Sequence, residues 1–127
     1  MLRDTLLKFT REMTSAVTIQ RVTPSSITVN GKPYSHSLAL TPGEIISDWR
    51  AKPVADLADS DFDALLETAP EIILLGTGSK NVFPPRELMF AFARRGIGLE
   101  CMDTAAAART FNVLANEGRQ VAAVLYL

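Results

Sequence analysis

Three apolar runs in the second half of the chain restrict its fold more than anything else in the sequence: Glu71-Ile72-Ile73-Leu74-Leu75, Ile97 to Met102, and Gln120 to Leu127. The first is too continuously apolar for a strand with one wet face, so burial on both faces is expected, and Ile97 to Met102 reads as a second buried strand. Helical signals fill the gaps between them. Pro84-Pro85 suits the first turn of a helix that continues through Leu88, Met89 and Phe92 to Arg94-Arg95, with Gly96 placed to end it. Asp103 or Thr104 caps a second helix, which Gly118 closes. The result is a β-α-β-α-β unit, and right-handed crossovers lay its helices against a mainly parallel sheet.

The opening third has a different rhythm. Val17 to Gln20 and Ser26 to Val29 alternate as strands around a Thr23-Pro24-Ser25 break. Asn30-Gly31 follows, the dipeptide that best tolerates the positive φ values of a type I′ hairpin. Beyond it, Tyr34, His36, Leu38 and Leu40 alternate with Ser35, Ser37, Ala39 and Thr41, which predicts one continuous strand ended by Thr41-Pro42-Gly43. Trp49 is expected to plug one end of the core. Ser60-Asp61-Phe62-Asp63 resembles a capping box ahead of Phe62, Leu65, Leu66 and Ala69, with Pro70 as the stop. We therefore expect an α/β fold: a single domain over residues 15–127, hairpin-rich at its start, preceded by a tail or short helix over residues 1–14.

Bulk properties narrow the function classes. A formal net charge of −1 in 127 residues gives no broad electrostatic footprint for nucleic acid. Every apolar run is broken too early to span a bilayer, which argues against direct membrane insertion. One cysteine, Cys101, and one histidine, His36, exclude an internal disulfide and clustered Cys or His metal sites. The first residues mix Arg3, Lys8 and Arg11 with Asp4 and Glu12, unlike a signal or transit peptide, and point to a cytoplasmic protein.

The stretch Leu-Leu-Gly-Thr-Gly-Ser-Lys-Asn-Val-Phe-Pro-Pro (residues 74–85) looks at first like a phosphate cradle. It fails the sharp motifs at nameable positions. A dinucleotide fingerprint and a P-loop both require glycine at position 81, where Asn81 stands, and the P-loop's Lys and Ser/Thr are replaced by Val82 and Phe83. A nucleophile elbow requires glycines where Thr77 and Asn81 flank Ser79. A softer possibility is positional. Gly76 to Val82 and Met102 to Thr104 both follow strand ends, where ligands of open α/β sheets collect. Backbone N–H groups, the hydroxyls of Thr77, Ser79 and Thr104, and the charges of Lys80 and Arg119 would then favour an anion. The alternative is that the glycines permit a turn and the hydroxyls cap helices.

The remaining candidates have structural explanations. Cys101 lies in an apolar strand, as an inert core thiol does. His36 shares a face with apolar residues, which suits hydrogen-bonded packing. The acidic run Asp56, Asp59, Asp61, Asp63 and Glu67 reads as a solvated helix face. Arg109, Asn112 and Asn116 form a polar stripe opposite Ala107, Phe111, Leu114 and Ala115, explained by solvation or by a partner contact.

Two segments carry a more specific signal: GTGSKNVFPP, and RRGIGLECMDTAAAARTFNVLANEGRQVAAVLYL with its Met102-Asp103-Thr104, Ala107, Arg109-Thr110, Asn112, Leu114 and Glu117-Gly118-Arg119. Together with Pro42 and Trp49 they resemble the Mth-type domain family, small α/β proteins of largely unknown function. That family includes a mitochondrial respiratory complex I assembly factor and the adipogenesis-associated Mth-type domain protein. The resemblance implies a three-layer fold with a central mixed sheet and an additional β-hairpin layer, no established enzyme activity and no established cofactor; from the Cys and His counts no metal is expected either. By similarity to the mitochondrial relative it implies an assembly-factor-like role through a protein partner. We assign that contact to Gly76, Thr77, Gly78, Ser79, Lys80, Asp103, Thr104, Arg109, Asn112 and Arg119, with no catalytic residue; an uncovered sheet edge leaves room for a homodimer. A small anion- or metabolite-binding protein, or an enzyme of unrecognised type, using Gly76–Val82 and Met102–Thr104 is the alternative.

Overall fold

The computed structural model describes residues 15–46 and 49–127; the expected tail or short helix over residues 1–14 lies outside the described residues. Among these, the strands are β1 (Ile19–Thr23), β2 (Ser26–Val29), β3 (Lys32–Tyr34), β4 (Leu38–Leu40), β5 (Ile45–Ile46), β6 (Ile72–Thr77), β7 (Gly98–Met102) and β8 (Val121–Tyr126). The α-helices are α1 (Asp63–Leu66), α2 (Arg86–Arg94) and α3 (Thr104–Asn116).

The three apolar runs lie side by side. β6 pairs in parallel with β7 on one side and with β8 on the other, and β4 then β5 add antiparallel to the β8 edge. The sheet order is β5-β4-β8-β6-β7, so the sheet is mixed, as the family resemblance implies. Alternation along β6 and β8 divides their side chains between two cores. Leu74, Ala123 and Leu125 pack under α3, through Ala107 and Phe111, and under Ile27 and Val29 of the hairpin sheet β1-β2-β3. Ile73, Leu75, Ala122 and Val124 pack on the other face against Phe62, Leu65, Leu88 and Phe92. Burial on both faces is what the unbroken apolarity of β6 and β8 requires. The three layers are thus α1 and α2, the five-stranded sheet, and α3 with the hairpin sheet.

Several local expectations hold. Asn30 and Gly31 take φ values of 51° and 82°, the pair of positive angles the turn between β2 and β3 needs. Gly96 and Gly118 follow α2 and α3 with φ of 73° and 78°. Asp103 is the cap of α3, its carboxylate accepting the Ala106 N–H at 2.8 Å. Trp49 packs on the second core, 5.5 Å from the Phe62 ring.

Other expectations are corrected. The strand expected from Tyr34 to Thr41 is broken at Ser35-His36-Ser37: Tyr34 ends β3 of the hairpin sheet, and Leu38–Leu40 form β4 of the other sheet. His36 is consequently exposed, its ring edge-on to Tyr34 and its Nδ1 3.0 Å from the Ser37 carbonyl, rather than packed among apolar residues. The helix expected to start at Ser60 is instead a 3₁₀ turn over Asp59–Phe62 followed by the single α-turn of α1. The carboxylate at work is Asp61, which accepts the Ala58 N–H at 2.9 Å and pairs with Lys52 at 3.0 Å, while Ala58 has no side-chain acceptor to complete a capping box and Ser60 heads none. The segment Ile97 to Met102 is not buried on both faces: β7 is an edge strand, with Gly98 and Glu100 exposed.

Candidate functional site

The parallel strands β6, β7 and β8 end together, so the loops after them share one rim. Their contact is direct. The Thr104 N–H donates to the Gly78 carbonyl and the Gly78 N–H donates to Thr104 Oγ1, both at 2.8 Å. Thr104 Oγ1 then donates to the Tyr126 carbonyl at 2.5 Å, so one buried hydroxyl ties together the ends of β6 and β8 and the start of α3. Thr77 does similar work inside its own loop. Its Oγ1 donates to the Lys80 carbonyl at 2.7 Å and accepts the Val82 N–H at 3.1 Å.

The two glycines of the loop have separate physical reasons. A Cβ built on Gly76 would lie 2.9 Å from Thr104 Cα and 3.1 Å from Ala107 Cβ, so only glycine lets α3 cross this closely over β6. Gly78 has φ of 90°, which turns the chain sharply enough to present its amide to Thr104. In the motif that resembles a phosphate cradle, Gly76 serves helix-on-strand packing and the Thr77 hydroxyl is already engaged within the loop. Ser79 and Lys80 are exposed on the loop.

A cavity of about 270 Å³ opens at this rim between the strand ends and the β1–β2 turn. Its walls include Val22, Pro24, Ala105 and Leu127, with Gly78, Ser79, Asp103 and Thr104 at its polar edge. The Asp103 carboxylate at that edge adds negative charge where an anion would sit, offsetting the attraction of the α3 N-terminus. The chemistry here is that of a small, mostly apolar recess with hydrogen-bonding edges.

The sequence-assigned residues do not all meet at the rim. Gly76, Thr77, Gly78, Asp103 and Thr104 converge there, with Ser79 and Lys80 on the adjoining loop. Arg119 lies at the opposite end of the sheet, where its Nε pairs with Glu71 Oε1 at 2.6 Å just before β8 begins. Asn112 faces β1: its Nδ2 donates to the Ile19 carbonyl at 2.8 Å and its Oδ1 accepts the Ile19 N–H at 3.0 Å. It clips α3 to the hairpin at a point where β1 bulges between Ile19 and Arg21. Asn116 Oδ1 similarly accepts the Ser15 N–H at 3.4 Å. Arg109, one turn before Asn112, is exposed.

A second surface escaped the sequence reading. Phe83 and Phe90 are 72% and 55% exposed, and Val82 and Met89 are exposed beside them in sequence. Leu88 and Phe92 fill the inward face of α2, and at 100° per residue Phe90 must then point away from the sheet. The signal was present in the sequence, since four apolar residues in Leu88-Met89-Phe90-Phe92 are too many for one helix face.

Titration behaviour marks no reactive centre in these places. Burial pushes the Cys101 thiol up, with the Glu100 charge adding to it, which keeps the sulfur protonated and inert. Burial also pushes the Tyr126 hydroxyl up to about 12, and the Asp61 charge adds to it; the hydroxyl donates to the Lys52 carbonyl at 2.6 Å, a bond that favours the protonated form. Among the described residues no group of three or more His, Cys, Asp or Glu is placed to hold a metal ion, and no helix is long and apolar enough to cross a membrane.

Fold and rim together define a three-layer α/β domain whose strand ends are locked by hydrogen bonds among themselves. The chain belongs to the family described as "Protein of unknown function (DUF498/DUF598)", which matches residues 19–126. It is 33% identical over 93 residues to the 13 kDa major membrane protein of Francisella tularensis, covering 72% of this chain and 76% of that one. It is also 33% identical over 116 residues to NADH dehydrogenase [ubiquinone] 1 alpha subcomplex assembly factor 3 of Rattus norvegicus, covering 90% of this chain and spanning 62% of the length of that relative. Among solved structures it resembles a Mth938-like domain of Bordetella pertussis with a TM-score of 0.72 at 29% identity, over 91% of this chain and 86% of that one.

Proposed function

We propose that this protein is a non-enzymatic interaction module of assembly-factor type, acting in the cytoplasm through contact with a protein partner and without a cofactor. The observation that carries this is the exposure of two large aromatic side chains, Phe83 and Phe90, with Val82 and Met89 exposed next to them in sequence. Phenylalanine, like the other aromatic residues and methionine, is enriched in the buried cores of protein interfaces. The loop that leads to Phe83 is pinned by the hydrogen bonds of Thr77 and Gly78, which limits the backbone ordering that binding would require. The relatives named as assembly factors support the same direction. The open edge of β7 offers a route to a homodimer by strand pairing.

Affinity capture with the intact chain and with a Phe83→Ser/Phe90→Ser variant tests this. We expect the native chain to enrich a defined partner that the variant fails to hold, while both melt within a few degrees of each other. A partner held equally by both chains, or no enrichment by either, refutes the proposal.

A further inference from the structure

On the hairpin side of the sheet, two recesses adjoin one another. The rim cavity and a second depression of about 320 Å³ between β1 and the first half of α3 share Val22 and Ala105 as walls. The chemistry changes along the resulting groove. At the rim end the walls are chiefly apolar, and the Asp103 carboxylate there is turned onto the Ala106 N–H. At the other end stand Arg21 from β1 and Arg109 from α3, both exposed. Neither takes part in any of the ion pairs formed among the described residues. The Asn112 clip holds β1 and α3 together beside these arginines, so the relative placement of the two guanidinium-bearing backbones is fixed. β1 is also an outer strand of its sheet, so the groove runs along a strand edge.

We propose that this groove binds an extended segment of a partner protein that carries an apolar side chain for the rim cavity and, a few positions along, an acidic side chain for Arg21 and Arg109. Two arginines that line one depression from different elements suit a carboxylate, which guanidinium groups hold through charge-assisted hydrogen bonds. A free inorganic anion would leave the apolar half of the groove empty, and a purely apolar ligand would leave the arginines unused. This inference rests on the reading of the chain as a protein-contact module, and it adds a second surface. Phe90 projects from the layer of α1 and α2, whereas the groove belongs to the layer of α3 and the hairpin. A domain with both can bridge two partners, or two segments of one.

The test is selection of a display library of random peptides on the immobilised full chain, followed by titration of the selected sequences as synthetic peptides. We expect the selected peptides to share an apolar residue and an Asp or Glu within a few positions. The Arg21→Glu/Arg109→Glu variant should weaken them by about tenfold or more, and peptides with Lys in place of the acid should recover affinity for that variant. Ala105→Leu, which narrows the wall common to both recesses, should weaken them without a charge change. Peptides that bind the native chain and the double variant equally would overturn the proposal. So would acidic peptides that bind as tightly without their apolar residue, or a library that yields no saturable binder. If the groove fails while capture dependent on Phe83 and Phe90 persists, only the groove is lost; if both fail, the protein-contact reading falls with it.

Discussion

Asn112→Ala separates a structural clip from a partner contact. The substitution removes two hydrogen bonds to the Ile19 backbone, of 2.8 and 3.0 Å, in a half-buried position that bridges residues 93 apart in sequence. Each such bond contributes about 0.5–1.5 kcal/mol net. Alanine is the better helix former and returns roughly 0.5 kcal/mol. The expected loss is therefore about 0.5–2.5 kcal/mol, roughly 2–12 °C in melting temperature for a domain between the size classes of 100 and 150 residues. Val113→Ala is the control: Val113 is 57% exposed on the same helix, and its replacement should change stability by no more than about 0.5 kcal/mol. Asn112→Asp adds a directional check, since it keeps the acceptor for the Ile19 N–H but sets an oxygen against the Ile19 carbonyl. The introduced carboxyl should titrate above its unfolded value, so its stabilising contribution is present below the unfolded value and is lost as pH rises through the folded one. That variant should accordingly recover stability toward acid pH relative to the native chain. Urea denaturation gives the energies, and hydrogen exchange at the Ile19 amide reports the clip itself. If Asn112→Ala is as stable as Val113→Ala and the Ile19 amide stays protected, the clip is not what holds α3 to β1.

Three further outcomes follow from the rim. Gly76→Ala forces a Cβ to within 2.9 Å of a backbone atom of Thr104, and should destabilise by about 1–3 kcal/mol in urea denaturation; an unchanged midpoint would show that α3 moves away freely. Thr104→Val keeps the shape but deletes the hydroxyl shared by the Gly78 N–H and the Tyr126 carbonyl, with an expected loss of about 1–3 kcal/mol that Thr104→Ser largely restores. Absorbance titration of tyrosinate should show one group ionising at about 12 and missing from Tyr126→Phe. Because that group is raised in the folded chain, its contribution is intact below the ordinary value of about 10 and fades as pH climbs toward 12.

Periodicity and turn chemistry made the second half of the chain legible. A run such as Ile72 to Leu75 has no polar side chain to show to water, so its place in the middle of a covered sheet followed directly. Asn30-Gly31 and Gly118 were equally plain, because only a few residues tolerate their backbone angles. The break at His36 was not legible, since Tyr34 to Leu40 alternates perfectly and only the placement of two sheets decides that the chain must cross between them. Asn112 was hidden for the opposite reason. A polar residue on a helix stripe looks solvated until the partner, a bulged strand near the other end of the sequence, is known. The glycines of the rim were visible but misleading: the residue that fills the space beside Gly76 is Thr104, which no local motif connects to it.

The place of β8 in the sheet has a consequence for biosynthesis. It is sandwiched between β4, from the first third of the chain, and β6, so the two halves of the sheet have no other neighbour in common. Until residues 121–126 have left the ribosome, β4 and β6 each present a bare apolar edge, and the earlier segments cannot complete either core. The domain therefore closes after synthesis of its last strand rather than during it, and a stalled or shortened chain is the form most prone to aggregate or to engage a chaperone.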